Sequence, residues 1–132
     1  MTTQEEEQAS VQGLTGTYTF NASTGGIHKF FGELEVSWSI SAGRITFTTL
    51  RYRIDKTSNG GGNSANINIT LYGNPRNGPS KDNCIQNAIW QPWATSTSTA
   101  IVGGYIDVDA EFIFDKSGAA DPKVTKRLTI HP

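Results

Sequence analysis

The chain has one cysteine, two histidines, few charges and no apolar run long enough to cross a bilayer. The lone Cys84 cannot close an internal disulfide. With only His28 and His131 to join it, no zinc-ligand spacing can be assembled. A disulfide-stapled framework is therefore excluded, and no cofactor is implied. Charged residues make up 17% of the chain and the net charge is −1. No basic field exists to attract nucleic acid or anionic lipid, so no nucleic-acid partner is expected. The GxSxG elbow, the GxxxxGK[ST] loop and the GxGxxG fingerprint are all missing. The run Gly60-Gly61-Gly62 lacks the Lys-Ser/Thr and the helix that a phosphate cradle needs. The acidic start MTTQEEEQAS has no apolar core of a signal peptide. A cytoplasmic location is the resulting expectation, with signal-independent export left open.

What is present favours strands and turns. The 132 residues suit one domain. Ser, Thr, Asn and 14 Gly weaken helix interiors, while 13 aromatics and many β-branched residues supply a core. The strongest pattern runs through residues 30–41. Phe30, Leu34, Val36, Trp38 and Ile40 share one parity, and Phe31, Glu33, Glu35, Ser37 and Ser39 share the other. Such alternation means a strand with one dry and one wet face. After a turn at Ala42-Gly43, residues 44–55 return with Ile45 and Phe47 on one parity, then Leu50, Tyr52 and Ile54 on the other. The switch predicts a β-bulge near Thr48-Thr49. With it, Trp38 faces Phe47, Val36 faces Leu50 and Leu34 faces Tyr52. The same slip sets Glu35 opposite Arg51 and Glu33 opposite Arg53.

A second hairpin is predicted over 105–131. Ile106, Val108, Ala110, Phe112 and Phe114 point inward, and Val124, Leu128 and Ile130 return. Pairing Phe114 with Val124 sets Glu111 opposite Arg127 and Asp115 opposite Lys123. Lys126 falls on the apolar parity, so this strand is expected to be a sheet edge, or Lys126 to reach past the rim. Further strands are expected over 14–22, with Leu14, Tyr18 and Phe20 inward, over 65–72, and more weakly over 98–103. The whole reads as an all-β protein: an antiparallel β-sandwich of about six to eight strands, with a closed β-barrel as the alternative. Residues 1–12 are expected to be a flexible tail and 13–132 the single domain. Residues 56–64, KTSNGGGNS, read as a loop.

Residues 73–97 show no steady alternation, and they hold Pro75, Pro79, Pro92, Trp90 and Trp93. Long loops in compact domains tend to carry function. Trp90 and Trp93, with Arg76, are therefore the candidate ligand-binding residues. Paired aromatics on a loop can stack on sugar rings or anchor a protein contact, and they can equally pack as a satellite core. Asp107 and Asp109 share a wet strand face about 7 Å apart, a spacing open to a hard cation or to paired acid–base chemistry. Asp82-Asn83 is a weaker oxygen-ligand candidate. Cys84 has no nearby cation to activate it and reads as structural. The leading expectation is a non-catalytic binding module for carbohydrate or protein. A self-assembling structural protein and a membrane-active β-protein are the alternatives, and a small enzyme ranks last.

Overall fold

The computed structural model describes residues 8–25, 29–56, 61–117 and 120–132. Among the described residues nine strands form two sheets: β1 Gln8–Gln12, β2 Thr15–Ser23, β3 Phe30–Ser41, β4 Arg44–Lys56, β5 Ala65–Leu71, β6 Ser80–Cys84, β7 Gln91–Ala100, β8 Ile106–Ile113 and β9 Lys123–His131. One sheet has the order β1-β9-β8-β5-β6, the other β2-β3-β4-β7. Their inner faces meet in one core, with Phe20, Leu34, Phe47 and Tyr52 from the four-stranded sheet and Ile67, Val108, Phe112 and Leu128 from the five-stranded sheet. Neither sheet closes on itself, so the fold is a β-sandwich and not a barrel.

The first hairpin follows the alternation closely. Trp38 faces Phe47, Leu34 faces Tyr52, Glu35 faces Arg51 and Glu33 faces Arg53. The slip falls one step later than predicted, because Val36 faces Thr49 and not Leu50. Leu50 is the extra residue, and Thr49 takes the inward place, fully buried. A hydroxyl is tolerated there because the neighbouring strand satisfies it. Thr49 Oγ1 donates to the Trp93 carbonyl (2.7 Å) and accepts from the Thr95 N–H (3.2 Å).

The second hairpin corrects the predicted register by two residues. Phe112 faces Val124, Val108 faces Leu128 and Ile106 faces Ile130, so Arg127 lies opposite Asp109 and not Glu111. A shift of two keeps every side chain on its own face, so the apolar pattern cannot distinguish the two registers. Phe114 leaves the ladder, and its N–H donates to the Pro122 carbonyl. The Asp115 carboxylate accepts from the Gly62 and Ser64 N–H groups, not from Lys123.

Residues 8–12, expected to belong to a tail, are a strand. Residues 8–12 pair in parallel with β9, from Gln8 opposite Arg127 to Gln12 opposite His131. Ala9 and Val11 pack against the core. β9 is consequently an interior strand, not the predicted edge. Lys126 is half-buried, and its side chain lines a solvent-open cavity. Leu14, expected inside, lies ahead of β2 and is 58% exposed.

The supposed long loop, residues 73–97, contains β6 and most of β7, which ends at Ala100 inside the weakly expected strand over 98–103. β7 escapes a hydrophobicity scan because each of its inward positions after Trp93 is a threonine: Thr95, Thr97 and the buried Thr99. The remaining irregular pieces are tied down. The Gln86 amide donates to the Gly62 and Asp115 carbonyls and accepts from the Asp115 N–H. Thr99 Oγ1 donates to the Pro75 carbonyl.

Candidate functional site

The wet face of the four-stranded sheet is ordered in rows. Thr15, Ser39, Thr46 and Ser98 are aligned across all four strands, as are Thr17, Ser37, Thr48 and Ser96. Beyond these hydroxyl rows the face becomes charged and aromatic. Thr19, Glu35 and Arg51 form the next row, then Asn21, Glu33 and Arg53, then Ser23, Phe31 and Asp55. The alternation of β3 thus places one aromatic, Phe31, on the wet side, where it is 43% exposed.

Around Phe31 lies an open cavity of about 600 Å³, lined by Asn21, Phe31, Glu33, Arg53, Asp55 and Lys126. Ala88 closes one side, held by its N–H donating to the Ile54 carbonyl. The volume falls within the range of small-ligand clefts. Its polar wall is preorganised. Arg53 Nε donates to Glu33 Oε1 at 2.7 Å, and in the adjoining row, outside the cavity, Arg51 Nε donates to Glu35 Oε1 at 2.8 Å. Arg51 is 47% and Arg53 41% exposed at the side chain, so these pairs add little stability and act mainly to fix side-chain geometry. The Trp90 ring lies against both guanidinium groups, 4.1 Å from that of Arg51 and 5.1 Å from that of Arg53.

The three residues singled out from the sequence do not meet. Trp90 belongs to this face. Trp93 is on the inward side of β7 and packs against the core. Arg76 lies over Tyr72 at 4.7 Å, and the other cation on that ring is Arg127 of the five-stranded sheet. Trp90, Trp93 and Arg76 thus lie on different surfaces, and the aromatic that shares the wet face with Trp90 is Phe31. The available signal was the single aromatic among the carboxylates and serines of the wet parity of β3.

The other chemistry candidates are occupied within the fold. Arg127 Nε donates to Asp109 Oδ1 (2.7 Å) and Nη2 to Oδ2 (3.1 Å), while Nη1 lies 3.6 Å from Asp107 Oδ2. Tyr72 also donates to Asp109, and Thr129 to Asp107. The hydrogen bond to Asp109 holds the Arg127 guanidinium above its ordinary value against the opposing effect of burial. A protein cation thus lies against both carboxylates, Asp107 and Asp109. Among the described residues no group of three or more His, Cys, Asp or Glu is arranged to hold a metal. Asp82 accepts from the Asn66 amide. Cys84 is buried, and desolvation pushes its thiol up to about 11, which makes it unreactive near neutral pH. His131 is exposed beside Tyr105. His28 and residues 57–60 of the predicted loop lie outside the described residues.

No family model and no curated protein matches this chain. Among solved structures it is similar to the variable (V) domain of the AgI/II polypeptide BspA of Streptococcus agalactiae. The identity is 13% and the TM-score 0.36, over 89% of this chain and 78% of that one.

Proposed function

We propose that the protein is a non-catalytic binding module that takes a carbohydrate on the wet face of the four-stranded sheet, around Phe31 and Trp90. The observation that carries this reading is the exposed Phe31 ring in an open cavity walled by Asn21, Glu33, Arg53 and Asp55. A sugar ring has an apolar C–H face and a rim of hydroxyls. An aromatic ring matches the first, and a mixture of carboxylate, amide and guanidinium groups matches the second. Arg53 is already held by Glu33 and Trp90, so little side-chain freedom is lost on binding. The adjoining hydroxyl rows give a longer saccharide further donors and acceptors along the same face.

The test is a glycan array with wild type, Phe31→Ala, Trp90→Ala and Trp93→Ala, each with a thermal melt. Phe31→Ala and Trp90→Ala are expected to weaken binding about tenfold or more with little change in melting temperature, since an aromatic contact is worth on the order of 1 kcal/mol beyond its buried area. Trp93→Ala is expected to lower the melting temperature instead. Glycan binding that is equal in wild type, Phe31→Ala and Trp90→Ala overturns the reading, as does wild type that binds no glycan.

A further inference from the structure

The edges of the two sheets are unequally protected. The five-stranded sheet ends in short strands of five residues, β1 and β6, and β6 carries Lys81, Asp82 and a break in its register. Short, charged and irregular edges discourage pairing with another chain. The four-stranded sheet ends in β2 and β7, which have nine and ten residues and no charge between them.

Which backbone groups of β7 are open follows from parity. Thr95 and Trp93 turn their backbone towards β4, because Thr49 bonds to both. Ile101 does the same, donating to the Gly43 carbonyl. Ala100 turns the other way and exchanges both its bonds with Asn74. Even-numbered residues of β7 therefore present N–H and C=O to the edge. Pro92, at one end, has no N–H to offer. Ala100, at the other end, is already taken by Asn74. Between these stops lie Ala94, Ser96 and Ser98, all small and exposed. Among the described residues no hydrogen bond covers their backbone groups on that side. The opposite edge is less open, since the Asn21 side-chain amide donates to the Thr19 carbonyl of β2.

We propose that this stretch of β7 is a self-association edge, on which a second copy of the chain pairs its own β7 in antiparallel fashion about a two-fold axis at Ser96. The stops themselves select this occupant. Pro92 and Ala100 are equally distant from Ser96, so a two-fold there sets Ser96 opposite Ser96 and Ala94 opposite Ser98 of the second copy. It also sets the two blocked positions opposite each other, where no bond is lost. Each of the three open pairs exchanges both of its backbone bonds. No like charges meet, and the side chains at the seam are small enough for ordinary strand spacing of about 4.8 Å. The contact is isologous and closes at a dimer. It joins the two four-stranded sheets, so the hydroxyl row through Ser96 continues from one copy into the next.

The test is sedimentation velocity over a concentration series with wild type, Ser96→Lys, Ser96→Pro and Thr17→Lys. The Ser96 backbone faces the open edge, so neither Ser96 variant removes an internal ladder bond. Thermal melts close to wild type are expected for both, and Ser96→Lys, which keeps its N–H, stands alone should the proline variant unfold. Wild type and Thr17→Lys are expected to double in mass at high concentration, and both Ser96 variants to remain monomeric. Ser96→Cys with oxidised glutathione is expected to give a cross-linked dimer, because opposed hydrogen-bonded residues place their Cα atoms about 5.5 Å apart, within disulfide reach. Wild type that stays monomeric throughout overturns the proposal. So does a dimer that survives Ser96→Lys, or one that Thr17→Lys dissociates.

Discussion

Replacing Thr49 by valine isolates the chemistry of the β4 bulge. The two side chains have nearly the same volume and branching, so strand preference and packing are retained while one hydroxyl is lost. In the folded protein that hydroxyl is fully buried, donates to the Trp93 carbonyl at 2.7 Å and accepts from the Thr95 N–H at 3.2 Å. It stands in for ladder bonds where β4 and β7 fall out of step between Thr49 and Arg51. Valine leaves a part-buried donor and a part-buried acceptor without partners. A fully buried group costs about 1–3 kcal/mol and these are only partly screened from water, so the expected loss for the two is roughly 2–4 kcal/mol. For a domain of this size that is a fall in melting temperature of roughly 10 °C. Urea denaturation measures the free energy, and an unchanged slope with a lowered midpoint shows that the folded state itself has weakened. Thr48→Val on the half-buried wet-face neighbour, whose hydroxyl meets that of Ser96, controls for hydroxyl loss at the surface and is expected to change stability by less than about 0.5 kcal/mol. A Thr49→Val protein within that same margin of wild type refutes this account of the bulge.

Three further outcomes follow from the packing and burial. Gln86→Leu strands the Gly62 carbonyl and both backbone groups of Asp115, so a loss of roughly 3 kcal/mol or more is expected by denaturant titration; a loss under about 1 kcal/mol contradicts it. Gly16→Ala places a methyl group 2.3 Å from Trp38 Cζ2, whereas Gly25→Ala meets open space. The first is expected to cost roughly 1–3 kcal/mol by thermal melt and the second far less, and equal effects contradict it. Burial raises the Cys84 thiol from 9.0 to about 11, so the folded state keeps a proton that the unfolded chain releases. That contribution is whole below the unfolded value and is lost as pH rises through the folded one. Urea midpoints are expected to fall between pH 9 and 11, and less steeply in Cys84→Ala; parallel slopes contradict it. The buried Tyr52 hydroxyl, also raised by desolvation, contributes to the remaining slope.

The sequence by itself determined which side chains face inward along most of the chain, and it determined the first hairpin almost completely. Strand geometry has a period of two, and the two strands of that hairpin are joined by a two-residue turn, so apolar pattern and charge pairing constrain each other locally. Tertiary structure decided the rest. The β8–β9 register could slide by two without exposing one core residue, and it is fixed by where Phe114, Asp115 and Gln86 find backbone partners. Pairing of β1 with β9 joins opposite ends of the chain, and no local signal encodes it. β7 presents threonines inward, so only the bulged strand beside it, which satisfies their backbone, reveals it as a strand. The Phe31–Trp90 face likewise draws on residues from three separate strands and a loop, and it exists only because the sheet lays those strands side by side.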